Sequence, residues 1–228
     1  MIHGGHCGVY LPMPAITDKL HFAATATALK ASLVLIGGVL LSVCTGVAMA
    51  LEKPAYTVEA EHNGIEYRRY ESYLVAQTRV EGVADYNAAA NEGFQRLFRY
   101  ITGDNQVAGK IDMTAPVQQF SEDGGWLISF MLPSRYTLAD APPPADHRVE
   151  LLEVKGRLMA ATRYSGRWTA KNFDRHLQSM MDALVSEGVD PAGAAVSAVY
   201  DPPFMPPFLR RNEILVPVDR IPDSVGLP

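Results

Sequence analysis

Tyr200-Asp-Pro-Pro-Phe-Met-Pro-Pro-Phe-Leu-Arg-Arg-Asn-Glu-Ile-Leu-Val-Pro-Val218 decides how the rest of this chain is read. Prolines at 202, 203, 206 and 207 fix φ and remove backbone donors, so the stretch opens as a stiff extended connection. After Arg211-Asn-Glu213 it alternates as a strand, with Ile214, Val216 and Val218 on one side. A weaker copy lies 84 residues earlier. Pro116-Val-Gln-Gln-Phe120 stands where Tyr200 to Phe204 stands, and Phe130-Met-Leu-Pro133 where Ile214 to Pro217 stands. The same offset sets Val75-Ala-Gln-Thr-Arg-Val-Glu-Gly82 beside Met159-Ala-Ala-Thr-Arg-Tyr-Ser-Gly166. The chain reads as two copies of one unit, at about 56–133 and 147–218.

Each copy has the same order of patterns. In the first, Tyr56 to Ala60, Ile65 to Tyr70 and Leu74 to Val80 read as strands, the last two forming a hairpin across Glu71-Ser72. Ala84 to Ile101 reads as a helix whose apolar face is Tyr86, Ala90, Phe94, Leu97, Phe98 and Ile101, ended by Gly103. Strands at Met113 to Phe120 and Trp126 to Leu132 follow. The proline-rich connector 133–146 then leads to strands at His147 to Val154 and Leu158 to Tyr164. A helix capped by Thr169 carries Phe173, Leu177, Met180, Met181 and Leu184, and strands at Ala194 to Ala198 and Ile214 to Val218 close the copy. Neither copy can cover both its helix stripe and its sheet face alone. The expected fold is therefore α+β: two pseudo-symmetric strand-strand-helix-strand-strand halves joined into one distorted β-barrel flanked by two helices, with a cleft where the halves meet.

The first 50 residues read differently. Lys19 and Lys30 precede the apolar run 31–43, and Ala48-Met-Ala50 offers a small-x-small cleavage site. The run is about 13 residues, short of the roughly 20 that a membrane-spanning helix needs. The expectation is a secretory leader over 1–50, a single domain over 51–228 beginning at Leu51, and a periplasmic or secreted protein; an uncleaved N-terminal anchor is the alternative. Val43 before Cys44 argues against a lipoprotein box, and Met13 can serve as the start as well as Met1. Both cysteines, Cys7 and Cys44, lie in this leader, so 51–228 has no disulfide, thiolate ligand or cysteine nucleophile. The whole chain has 20 basic and 25 acidic side chains; setting aside Lys19, Lys30 and Asp18 leaves 18 and 24, a net charge of −6. A mildly acidic domain is a poor partner for nucleic acid, which needs a basic face.

Lys110-Ile-Asp-Met-Thr-Ala-Pro-Val117, Tyr200-Asp-Pro-Pro-Phe204 and Arg211-Asn-Glu213 together resemble the SOUL haem-binding family, and Tyr67-Arg-Arg-Tyr70 and Phe98-Arg-Tyr-Ile101 agree in position. The resemblance runs from about Tyr56 to Val218. It implies a distorted barrel of two halves, and it links the chain to bacterial effector-binding domains that hold drug-like molecules between such halves. It also implies an open apolar cleft beside the first helix that takes haem or a related porphyrin. In some family members a proposed axial histidine stands just before the tyrosine of the opening strand; here that position is Arg69.

The candidate porphyrin-binding residues are Phe94, Leu97, Phe98, Arg96 and Arg99 on the first helix, with Phe204 and Met205 on the other wall. Arg96 and Arg99, three residues apart, share one side of the helix. They form either a solvated face or a clamp for a tetrapyrrole's carboxylates, which guanidinium can bind in bidentate fashion. Met113 and Thr114 are read as fold determinants. His62, His147 and His176 have no metal-ligand spacing, and no metal site is assigned. Glu213 is the one carboxylate inside the last strand. It serves either an ion pair with Arg210 or Arg211, the favoured reading, or the acid that meets cationic ligands in effector-binding domains; at the 84 offset its counterpart is Ser129. No catalytic motif is recognisable. The expected function is that of a monomeric, exported, non-enzymatic carrier or buffer of tetrapyrroles. A module for another small hydrophobic or cationic ligand, or a hydrolase, are the alternatives.

Overall fold

The computed structural model describes residues 51–223, so the leader, its cleavage site and the last five residues lie outside the described residues. The alternating stretches form strands: β1 (Tyr56–His62), β2 (Ile65–Tyr70), β3 (Tyr73–Val80), β4 (Val117–Glu122), β5 (Gly125–Met131), β6 (Val149–Val154), β7 (Leu158–Tyr164), β8 (Val196–Val199) and β9 (Asn212–Pro217). The two stretches with three- and four-residue spacing form helices α1 (Tyr86–Ile101) and α2 (Ala170–Ser186). All nine strands join one antiparallel sheet in the order β1-β2-β7-β9-β8-β4-β5-β3-β6. It curls into a distorted barrel that remains open, with β1 and β6 at its edges. Leaving β1 aside, the order reads the same from both ends once β2 is matched with β6, β7 with β3, β9 with β5 and β8 with β4. The pseudo-twofold axis therefore passes between β4 and β8, which pair through Val117↔Val199, Gln118↔Ala198 and Gln119↔Ser197.

The expected hairpin of β2 and β3 does not form. β2 pairs with β1 and β7, while β3 pairs with β5 and β6. Glu71-Ser72 carries the chain from one half of the sheet to the other, and Lys155-Gly156 carries it back. Each half of the sheet thus borrows a strand from the other copy. The physical reason is that both edges of β3 are satisfied by β5 and β6, whose Ile128, Phe130 and Val149 share its apolar layer.

The constant offset also fails late in each half. It holds for the first strands and the helices: 65–70 corresponds to 149–154, and Tyr86 to Ala170. Strand pairing then sets Val75 opposite Met131 but Met159 opposite Pro217, an offset of 86. By the same pairing Gln118 corresponds to Val196, an offset of 78. The link after α2 is shorter than that after α1, and the proline-rich loop 200–211 replaces the two-residue turn 123–124. Tyr200 to Phe204 therefore lies in that loop and is no copy of β4. The counterpart of Glu213 is Leu127, not Ser129.

Both helices cover the convex face. Asp85 caps α1 by accepting from the Ala88 N–H at 2.7 Å. Thr169 caps α2 through Asn172, as expected from the sequence. The buried face of α1 is rotated from the expected one: Tyr86, Ala89, Gly93, Arg96, Leu97, Tyr100 and Ile101 point inward. Gly93 is the cause. A Cβ on it would stand 2.6 Å from Ile128, so the absence of a side chain lets α1 settle on β5 along the Ala89–Gly93 line. Phe94 is left on the flank, partly buried against the layer of Leu97, Ile128 and Phe130. Under α2 a matching layer forms from Tyr67, Ala160, Met180, Leu184, Ile214 and Val216. Thr114 acts as a fold determinant, fully tucked in and donating to the Met131 carbonyl at 2.6 Å.

Candidate functional site

Period-two alternation sends every second strand residue to the concave face. There a third apolar layer, Tyr70, Met159, Ala161, Val196, Ala198 and Leu215, lines the half formed by β2, β7, β9 and β8, and Tyr73 and Phe120 from the other half pack against it. Two features stand on this face: a buried ion cluster in one half and a cleft on the axis.

The ion cluster centres on Glu213, which is 0% exposed. Arg68 of β2 donates to both its oxygens, Nη1 to Oε2 at 2.7 Å and Nη2 to Oε1 at 3.2 Å. Arg211 adds Nε and Nη2 donors to Oε1 at 2.9 and 2.6 Å, and the Tyr200 hydroxyl donates to Oε2 at 2.9 Å. Glu66 accepts from Arg68 Nε at 2.8 Å and balances the charge. Burial alone pushes the Glu213 carboxyl up, but the hydrogen bonds and charges of Arg68 and Arg211 more than reverse this and hold it below its ordinary value. Burial and the Glu213 charge push the Tyr200 phenol far up, so it stays a proton donor. The favoured ion-pair reading of Glu213 holds with Arg211 and not Arg210. Arg210 instead lies over the Trp168 ring at 4.2 Å and donates to the carbonyls of Met205 and Pro203. With both oxygens occupied, Glu213 is a strut between β2 and β9 and offers nothing to a cationic ligand.

The cleft lies between this cluster and β3. Its lining follows the symmetry: Tyr70 matches Val154, Tyr73 matches Arg157, and Gln118 matches Val196. It has about 530 Å³ of empty space including its open mouth, of which about 70 Å³ admits the centre of a water molecule. A wider groove, about 510 Å³ by the latter measure, runs between residues 52–55, the Glu71-Ser72 link and the connector around Tyr136.

The residues singled out from the sequence fall into separate environments. Leu97 is wholly buried in the core under α1. Arg96 is 5% exposed and donates to Thr78 Oγ1 at 2.6 Å, to the Arg79 carbonyl at 2.9 Å and to Glu92 at 2.7 Å. It ties α1 to β3, and its burial sets it apart from the open clamp that the sequence suggested. Phe98 is 42% exposed and stacks on Phe94, ring centroids 5.8 Å apart and planes 11° apart. Arg99 is exposed on the last turn and makes no ion pair among the described residues. Phe204 and Met205 sit on the 200–211 loop, whose contacts are with Gly166, Trp168 and Glu213; Phe204 is 84% exposed. Phe94 and Phe98 thus stand together on one flank of α1, Arg99 follows on its last turn, and Phe204 and Met205 have different neighbours.

No set of three or more metal-ligating side chains occurs among the described residues. His62 bonds Glu187 at 2.9 Å, His147 is exposed, and His176 stacks on Tyr164 with its ring pKa lowered by burial and by Arg175. Arg69 grips Glu59 with two hydrogen bonds at 3.0 and 3.2 Å, away from the cleft. The stacked apolar pair fits the body of a porphyrin, and the exposed Arg99 guanidinium on the same helix fits its carboxylates. Sequence reasoning missed Arg68 and the cleft residues Tyr73, Gln77 and Gln118. The alternation in Tyr67-Arg-Arg-Tyr70 does set Arg68 on the side opposite Tyr67, but nothing local points to a partner 145 residues away.

The family model described as SOUL heme-binding protein matches residues 51–217. Heme-binding protein 1 of Xenopus laevis is 27% identical over 165 residues, covering 68% of this chain and 85% of that protein. Heme-binding protein 2 of Mus musculus is 27% identical over 175 residues, covering 72% and 83%. Among solved structures, the EcmrR C-terminal domain is similar with a TM-score of 0.53 at 9% identity, covering 73% of this chain and 99% of that one, a likeness of fold alone.

Proposed function

Because the chain belongs to the SOUL heme-binding protein family, we propose that it binds haem or a related porphyrin without covalent attachment and acts as a carrier or buffer, not as an enzyme. The observation that carries this reading is the Phe94–Phe98 stack on the flank of α1, with Arg99 exposed on the last turn of the same helix. A flat macrocycle laid on that flank buries apolar area, worth about 25 cal/mol per Å². Arg99 pairs a propionate in water and adds less, about 0.2–1 kcal/mol. Apolar contact therefore contributes most of the affinity, and iron contributes little.

Hemin titration followed at the Soret band tests the reading. Saturable binding at micromolar or tighter Kd is expected, weakened by Phe98→Ala. Metal-free protoporphyrin should bind within about tenfold of hemin, a difference of about 1.4 kcal/mol. Failure of the metal-free porphyrin to bind would show that iron coordination, and not this flank, holds the ligand.

We place this carrier outside the cytoplasm, as a monomer released after Ala50. The leader pattern motivates this, and the first residues after it support it. The Glu52 carbonyl accepts from the Ala115 N–H at 2.9 Å and its carboxylate from the Ser134 N–H at 2.7 Å, so a chain beginning at Leu51 keeps both anchors. No helix among the described residues is long and apolar enough to cross a membrane. N-terminal sequencing from the envelope fraction should begin at Leu51; recovery in the membrane pellet with residues 31–43 intact would establish an anchor instead.

A further inference from the structure

We propose that the cleft on the pseudo-twofold axis is a second ligand site, separate from the flank of α1, and that it selects a small organic monoanion: a carboxylate on a short apolar or aromatic body. Charge is the first ground. Lys155 and Arg157 are the charged side chains of its lining, and no aspartate or glutamate lines it. Both are exposed at the rim and make no ion pair among the described residues. Of the carboxylates on this face, Glu213 is wholly buried with both oxygens occupied, Glu66 is tied to Arg68, and Glu150, exposed on β6 opposite Gln77, lies outside the lining. A cleft with one sign of charge and apolar walls concentrates counter-ions of the other sign.

Hydrogen-bond capacity is the second ground. Gln77 Nε2 donates to Ser129 Oγ at 3.0 Å, and Gln118 Nε2 donates to the Tyr73 hydroxyl at 3.3 Å. Each hydroxyl therefore already accepts a bond, and neither donates to an acceptor among the described residues. Both hydroxyl protons are available to an incoming acceptor. Arg157 lies close enough to the Tyr73 phenol to act on its charge. A carboxylate entering between them meets a guanidinium and two hydroxyl donors.

Size and wall chemistry set the rest of the ligand. Phe120, Met159, Val196 and Leu215 supply apolar walls. The enclosed part, about 70 Å³ for water centres, holds about five waters at roughly 10–15 Å³ each. That space takes a compact acid and excludes a porphyrin. The crossing links form the mouth: Gly156 N–H donates to Ser72 Oγ, and the Tyr70 N–H donates to the Arg157 carbonyl at 3.0 Å. The rim cations are thus held by the same crossing that joins the two halves.

The test uses the protein from Leu51 onward with benzoate, and benzamide as its neutral isostere, in an amide NMR titration with hemin titrated in parallel. Benzoate should saturate at one equivalent and shift the amides around Tyr73, Gln118 and Ser129, and benzamide should bind at least tenfold more weakly. Lys155→Gln with Arg157→Gln should weaken benzoate at least tenfold while leaving hemin affinity unchanged. The proposal is overturned if benzoate fails to shift these amides, if benzamide binds equally well, or if the double variant binds benzoate like the parent.

Discussion

Gly156 donates its backbone N–H to Ser72 Oγ at 3.1 Å, and the two residues are 84 positions apart, the same offset that relates the two copies. The two links that exchange strands between the halves therefore meet across the pseudo-twofold axis. They meet closely: a Cβ on Gly156 would stand 2.6 Å from the Tyr70 carbonyl oxygen, a backbone atom that cannot swing aside.

Gly156→Ala should accordingly destabilise the fold by about 1–3 kcal/mol, the usual cost of forcing an extra carbon into a packed site. Ser72→Ala, which removes only the hydrogen bond, should cost about 0.5–1.5 kcal/mol. Urea denaturation checks both. Equal stability of Gly156→Ala and the parent would mean that the links do not press together in solution.

Strand exchange predicts that neither half folds alone. A fragment 51–144 has β3 without its neighbour β6, and 145–228 has β7 without its neighbour β2. Each should be poorly soluble or molten, and mixing the two during refolding should restore a cooperative transition. Cooperative unfolding of either fragment by itself would contradict the exchanged topology.

Removing the Glu213 charge should be severe. Glu213→Gln leaves Arg68 buried with half its pairing lost, at a cost of about 3–5 kcal/mol. The folded-state pKa of Glu213 is depressed below its ordinary 4.5 by Arg68 and Arg211, against burial. Its contribution is therefore complete above about pH 4.5 and is lost as the pH falls through the folded pKa. Stability measured from pH 6 down to pH 3 should fall steeply in the parent and less steeply in Glu213→Gln.

The two arginines of α1 should separate by assay. Arg96→Met should lower stability by about 1–3 kcal/mol, because it strips bonds from Thr78 and the Arg79 carbonyl. Arg99→Glu should leave stability nearly unchanged but weaken hemin and metal-free protoporphyrin together, since both present the same propionates. Replacing His62, His147 and His176 singly by Ala should leave the hemin spectrum unchanged. Loss of the Soret shift in one of these variants would identify an iron ligand.

Local order was legible in the chain itself. Alternation located all nine strands to within a few residues, and Ile65 to Tyr70, Leu158 to Tyr164 and the Thr169 cap coincide with the structure, because these features depend on neighbours two to four residues away. The doubled order of elements was legible for the same reason. Partner choice was not. Every strand edge offers the same N–H and C=O groups, so β2 and β3 looked like a hairpin. Only the summed packing of both halves sends β2 to β7 and β3 to β6. The rotation of α1 onto Gly93 depends on Ile128 coming within reach across the core, which diverts Arg96 from a ligand clamp to a brace. The pairing of Arg68 with Glu213, and the cleft left between the halves, likewise exist only once residues far apart in sequence share one concave face, where burial makes an unpaired charge too costly to keep.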